Sequence, residues 1–535
     1  MGKSLYFINP TTDFAGYYTA EVFAAQGLSP TVLTADLTTT TLAAMAPADF
    51  TVRLCEEYVE PVDFDSSCDF IGITGKITQL GRMLSIAKEF RRRGKTVIIG
   101  GPFASLSPEV VRPHCDILVR GEIEEIAQDF FADLQSGRWK DDYFGDKPDL
   151  SMSPVPKWSL YPNDRASLGA LQTARGCPFE CEFCDVIQYA GRKQRHKLPA
   201  QVLKELDALQ RHGYRATFLA DDNFTAYHQR AKELLEALKF WNDSHPASAM
   251  HFTTQVSIDV ARDEALLGMC ADAELRNFFI GIETPNQDSL RETKKRQNMK
   301  VDLVDQVRTI TEHGIAVMAG MIVGFDHDGP DIFQRQYDFA MASAIPIFSL
   351  GALVAPAATP LHERMEKAGR LKPDGEEVAA VPWATNIVPV HMSEPQLMGG
   401  LQWLANKLYE PQAFGERISR FIDAYGTRRP RPAGNLKTIS QPRPIDRSKL
   451  MLLAAFRKMG AKEDVLMTQI TSQIAKKPET AAMVISQMLQ YMQIRHMYER
   501  GQFWEQRLTT ESKPIGEVVR PVPLVRRPLP QPVAV

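Results

Sequence analysis

Cysteine is scarce, with seven in 535 residues. That is too few to staple a chain of this length with disulfides, so its stability must come from buried cores. Long apolar runs are missing too: no stretch of about 18 apolar residues occurs. The opening MGKSLYFINPTTDF has no apolar segment followed by a small-residue cleavage site, which predicts a cytoplasmic chain without a transmembrane segment. Charge of one sign is absent as well. The 62 basic and 65 acidic residues leave a formal net charge of −3, which argues against nucleic acid as a partner and for a small-molecule substrate.

At roughly 100–200 residues per domain the chain must hold several domains. Residues 1–145 alternate β-rich runs (KSLYFINP, FTVRLCEEY, CDFIGITG, KTVIIGG, DILVRG) with helical patterns, which predicts an α/β fold with a doubly wound parallel sheet. Such sheets bind ligands beyond the carboxyl ends of their strands, here after Pro10, Thr74 and Gly100. Residues 146–168 read as a linker rich in Pro, Asp and Ser. From 169 to 375 six further β/α units (ALQTAR, ATFLADD, HFTTQVS, NFFIGIE, AVMAGMIVGF, FSLGALVAP) predict a partial (β/α)6 barrel, with chemistry at its strands' carboxyl ends. A mainly helical region follows over 376–427, then a Pro/Arg-rich joint at 428–446, a helical extension over 447–510 and a proline-rich tail over 511–535 expected to be disordered.

Three of the seven cysteines fall within eight positions, in CPFECEFC directly after a strand and a glycine. Cys177, Cys181 and Cys184 supply three thiolates where a closed zinc or cluster site uses four. A three-thiolate cluster leaves one iron free for an external chelating ligand. The competing reading is a zinc knuckle, for which His196 is the available fourth ligand. The isolated Cys55, Cys68, Cys115 and Cys270 read as small buried hydrophobes.

With the aromatic Phe183 before its last cysteine, the motif resembles the signature of the radical S-adenosylmethionine (SAM) superfamily. The resemblance implies a [4Fe–4S] cluster on the three cysteines and SAM on its open iron. It extends to Asp222 and Asn223, placed near the SAM amino end, to Gln255 after the next strand, and to Gly281 and Glu283 in GIETP, near the ribose. Val323 in GMIVGF corresponds to the strand along the adenine. Lys294, Lys295, Gln297 and Asn298 in KKRQN also match a subgroup, although a solvated helix face explains a lysine pair equally well.

Within that subgroup, which contains hopanoid and bacteriochlorophyll side-chain methylases, the first domain resembles a cobalamin-binding fold. The matching pieces are Gly100, Gly101 and Pro102 in GGPFAS and Gly121 and Glu122 in RGEIEE, with Pro10, Thr74 and Lys76 on neighbouring loops. One departure is plain: the first 113 residues contain no histidine, so cobalt coordination from below by a loop histidine is excluded. The implied activity is cobalamin-dependent radical SAM C-methylation of an unactivated carbon in a large apolar substrate, a lipid or tetrapyrrole. A flavodoxin or ferredoxin would supply electrons. The motifs leave open a radical SAM enzyme that performs cyclisation, oxidation or carbon–carbon coupling without cobalamin, and a non-catalytic cobalamin or cluster sensor. Trp383 and Phe414 are candidate pocket residues, with core packing the stronger expectation.

Overall fold

The computed structural model describes residues 2–372, 383–429 and 443–514. The tail beyond 514 and most of the joint at 428–446 lie outside the described residues. In the first domain the strands are β1 (Ser4–Asn9), β2 (Val32–Thr34), β3 (Thr51–Glu56), β4 (Phe70–Thr74), β5 (Thr96–Gly100), β6 (Ile117–Gly121) and β7 (Asp142–Gly145). Six of them form one parallel sheet in the order β3-β1-β4-β5-β6-β7. Strand order reverses between β1 and β4, which opens the ligand crevice of a doubly wound sheet over the loops at Pro10 and Thr74.

Both faces of this sheet are covered. Along β1, Tyr6 and Ile8 pack with Met83, Ile86 and Phe90 of the helix Leu80–Arg92. Leu5 and Phe7 pack on the opposite side with Phe130 and Phe131 of the helix Ala127–Ser136. The helix Leu80–Arg92 has no side-chain cap at its start, a loss of about 1 kcal/mol. Burial of Met83, Ile86 and Phe90, each fully inaccessible, contributes about 1.5–3 kcal/mol apiece and outweighs it.

The second sheet contains β8 (Ala166–Leu171), β11 (Ala216–Leu219), β12 (His251–Val256), β13 (Leu275–Glu283), β14 (Ala316–Val323) and β15 (Ile347–Ala352). Between β8 and β11, a two-strand antiparallel ribbon pairs β9 (Ala174–Arg175) with β10 (Arg195–His196). The large sheet is parallel throughout, in the order β15-β14-β13-β12-β11-β8-β2. Five of its expected strands are present as read, and the sixth, ALQTAR, straddles the end of β8 and the ribbon strand β9, because β8 begins at Ala166 inside the expected linker. A seventh, β2, comes from the first domain and pairs Val32 with Ala166 and Thr34 with Leu168.

The helices Glu394–Leu408, Pro411–Ala424 and Ala481–Arg500 share one hydrophobic core with this half-barrel. The loop after β1 enters the same core. The Tyr17 hydroxyl donates to Leu350 O at 3.0 Å and shares a 2.8 Å hydrogen bond with the Tyr498 hydroxyl. Trp383 stacks on Phe503 with centroids 5.1 Å apart, and Phe414 is inaccessible against Tyr491; both are packing residues. Cys55, Cys68, Cys115 and Cys270 are buried free thiols. Among the described residues no helix is long and apolar enough to cross a membrane.

Candidate active site

The CPFECEFC loop leaves β9 through Gly176, which has φ +99°; a Cβ there would meet Lys193 O at 2.8 Å and Gly191 O at 2.9 Å. Glycine is therefore required to start the loop. The Gly176 N–H donates to Asp222 Oδ2 at 2.7 Å, the Cys177 N–H to Gly191 O at 3.1 Å, and the Cys184 N–H to Cys181 O at 3.1 Å. Asp222 thus ties the loop after β11 to the residue before the first cysteine. Burial pushes its carboxyl above the ordinary carboxylate range.

The three thiols are free, and Cys181 stands near enough to both Cys177 and Cys184 to influence their ionisation. Burial raises the Cys177 thiol and pushes that of Cys184 up to about 12, so thiolates persist here only beside cations, as iron supplies. No group of three or more His, Cys, Asp or Glu side chains among the described residues closes around a single metal ion. A cluster asks less of the loop, since each thiolate binds a different iron.

Facing the thiols is the end of β13. A bulge breaks the register with β14 between Gly281 and Glu283, and Glu283 has φ +63°. This conformation turns the Glu283 carboxylate onto Lys295, at 2.7 Å. A Cβ on Gly281 would lie 2.2 Å from Glu283 Oε1 and 2.9 Å from Lys295 Nζ, so the ion pair occupies the space that glycine leaves. Burial pulls the Lys295 ammonium down, but Glu283, Cys181 and Cys184 hold it well above its usual range. It remains a cation beside the cysteine loop.

Gln297 donates to Cys181 Sγ at 3.5 Å, and Asn298 donates to the carbonyls of Gly281 and Ile282, both at 2.9 Å. Gln297 Oε1 and Asn298 Oδ1 are buried without hydrogen-bond partners among the described residues. Such orphaned acceptors fit a bound group that brings donors. Within KKRQN, Lys295, Gln297 and Asn298 thus line the candidate site, whereas Lys294 and Arg296 are exposed, a division visible only once the fold places Gln297 on Cys181. Of the remaining expected residues, Asn223 donates to Ser257 Oγ at 2.8 Å, Gln255 O accepts from Phe224 N–H at 2.9 Å, and Val323 O accepts from Leu353 N–H at 2.8 Å. Phe183 stands 6.2 Å from Phe325, centroid to centroid, with Lys295 over its ring.

In the first domain, Gln79 braces the crevice. Its amide donates to Asn9 Oδ1 at 2.9 Å and to Pro10 O, and accepts from the Lys76 N–H at 2.9 Å. Gly101 has φ +99°, and a Cβ there would strike Thr74 Oγ1 at 2.6 Å; the loops after β4 and β5 therefore touch through backbone. Gly121 is held by its N–H donating to Ser105 Oγ at 2.8 Å. Lys76 is exposed and Thr74 buried. These loops offer hydroxyl and backbone groups rather than thiolate or imidazole. They fit a metal that brings its own equatorial nitrogens, as a corrin does.

The two sets of loops meet. The helix Pro102–Leu106 of the GGPFAS loop packs against the helix Val186–Tyr189, which follows Cys184 directly. Glu122 pairs with Arg175 at 2.6 Å and also with Arg195, while Arg175 reaches Glu124 at 2.7 Å. The carboxylate of Glu122 is thus committed to the barrel side of the domain boundary, a partnership its sequence context does not reveal.

The radical SAM superfamily pattern matches residues 171–340 and a domain of unknown function, DUF4070, matches 359–518. An uncharacterized methyltransferase of Synechocystis is 34% identical over 388 residues, 71% of this chain and 72% of that protein. The chain belongs to the radical SAM superfamily. As a radical SAM enzyme it takes a [4Fe–4S] cluster and SAM as cofactors, and its relatives place it among methyltransferases. The hopanoid C-2 methylase of Rhodopseudomonas palustris is 28% identical, with 72% of this chain and 73% of that one aligned. The solved structure of the cobalamin-dependent radical SAM enzyme OxsB shares the fold, with a TM-score of 0.60 at 16% identity over 93% of this chain and 84% of that one.

Proposed function

We propose that this radical SAM enzyme is a cobalamin-dependent C-methyltransferase acting on an unactivated carbon of a large apolar substrate. The observation that carries the reading is the packing of the helix Pro102–Leu106 against the helix Val186–Tyr189, which sets a crevice suited to a corrin beside the cysteine loop. When bound, the cluster and SAM supply a 5′-deoxyadenosyl radical, and cobalamin supplies the methyl group.

The chain's own residues hold and shield. Cys177, Cys181 and Cys184 bind the cluster. Asp222 and Asn223 in the loop after β11, Gln255 on β12, Gly281 and Glu283 on β13, Val323 on β14, and Phe183 surround SAM. Pro10, Thr74, Lys76, Gly100, Gly101, Pro102 and Gly121 lie along the corrin crevice, and Glu122 stands at the domain boundary beside it, paired with Arg175 and Arg195. Partly exposed Phe279, Met318 and Ile322 alternate with fully buried neighbours on β13 and β14, which gives the half-barrel an apolar inner face. That face supports a lipid or tetrapyrrole substrate and keeps water from a radical.

The test is reconstitution under anaerobic conditions with iron, sulfide and cobalamin, followed by turnover with hopanoid and tetrapyrrole candidates. Equal yields of 5′-deoxyadenosine and S-adenosylhomocysteine are expected, and none of either from the Cys177→Ala/Cys181→Ala/Cys184→Ala variant. Formation of 5′-deoxyadenosine alone, with no cobalamin absorption bands, would replace methylation with another radical reaction.

A further inference from the structure

The fold splits KKRQN into an inward and an outward half. Lys295 and Gln297 face the cysteine loop and Asn298 the end of β13, whereas Lys294 and Arg296 are exposed. With Arg262, Arg291 and Lys300, all exposed, these two line an open cleft of about 790 Å³ whose other walls are Met299 and Val301. Among the described residues only Arg291 of the five cations is ion-paired, to Asp288 on its own helix. Asp259 stands near enough to Arg262 for their charges to interact.

Five exposed cations gathered in a chain of net charge −3 form a local field of opposite sign to the rest of the molecule. Exposed, solvated cations hold a small anion weakly, but they steer and orient a macromolecule of complementary charge. The back of this cleft is the segment that touches Cys181. We propose that the cleft is the docking surface for an acidic one-electron carrier protein, a flavodoxin or ferredoxin, that reduces the cluster. The proposal rests on the assignment of the cluster to Cys177, Cys181 and Cys184. In the step it serves, one electron leaves the reduced carrier, which is oxidised by one unit, and enters the cluster, which is reduced by one unit. No atom is transferred.

The test compares the reconstituted full-length enzyme with its Arg262→Glu/Arg296→Glu variant, reading bleaching of the cluster's visible absorption and formation of 5′-deoxyadenosine. With fully reduced flavodoxin at low salt, both rates should fall about tenfold or more in the variant, and added salt should bring the unmodified enzyme down to the variant's level. With dithionite, which needs no docking surface, the two proteins should match. An unchanged flavodoxin rate would overturn the proposal. So would a parallel loss with both reductants, which would assign the cations to a small anionic ligand or to the cluster's own support. If charge reversal impairs cluster assembly, the Arg262→Gln/Arg296→Gln variant carries the same comparison. An unmodified enzyme that dithionite cannot reduce would overturn the cluster assignment itself, and this proposal with it.

Discussion

Glu56, at the end of β3, is 1% exposed. Its carboxyl oxygens accept hydrogen bonds from Asn9 Nδ2, at 2.9 and 3.2 Å, and one accepts from the Tyr161 hydroxyl at 2.8 Å. Burial, reinforced by Asp36, pushes the carboxyl up to about 8 despite these donors. The folded chain therefore holds a proton between about pH 4.5 and 8 that the unfolded chain has released, so this group's contribution to stability falls as pH rises through that window. Replacing Glu56 with Gln keeps the volume and an acceptor but removes the titration. From pH 5 to 9 the stability of the variant relative to the parent should rise by on the order of 1–3 kcal/mol. Calorimetric melts at both pH values read this, and a constant difference would count against it. Nothing in FTVRLCEEY marks Glu56 as the glutamate buried without a cation, because tertiary packing decides that its neighbour Glu57 and not Glu56 meets Arg82. The motif of Cys177, Cys181 and Cys184 stood out in the sequence for the opposite reason: the cluster proposed for it needs its ligands at fixed local spacing.

At the level of elements, five of the six half-barrel strands declared themselves by apolar runs that recur between amphipathic helices. The three-residue β2 could not, since it is too short for any period to show. Its pairing with β8 is extended by the Ala35 N–H, which donates to Leu168 O at 2.9 Å. Ala35→Pro deletes that donor at a buried position and should cost about 1–3 kcal/mol. A lower denaturation midpoint at unchanged slope would show that β2 belongs to the cooperative unit of the barrel. An unchanged midpoint would mean that it merely rests on β8. The bulge in β13 escaped notice for a related reason: GIETP reads as an ordinary strand end, and only the register against β14 reveals Glu283 turned toward Lys295.

Across the whole molecule, composition separates two α/β units but does not say how they are joined. Beyond the pairing of β2 with β8 and the seating of the Tyr17 loop in the barrel core, the boundary carries an ionic cluster, with Arg175 between Glu122 and Glu124, and Arg195 also on Glu122. Although burial pushes Glu124 up, Arg175 holds its carboxyl below the ordinary carboxylate range. Arg175→Met keeps much of the stem but leaves Glu124 buried beside no cation, while Glu122 retains Arg195. Breaking a buried pair from one side typically costs about 3–5 kcal/mol. The loss should be expressed at the boundary, because neither core contains the pair. Calorimetry should then resolve an earlier melt of the first domain ahead of the barrel, where the parent melts as one unit. If the corrin crevice is completed by that boundary, cobalamin should also bind the variant more weakly while the cluster content stays at the parent level. A variant that loses cluster and cobalamin together would instead place Arg175 in support of the cysteine loop that follows it.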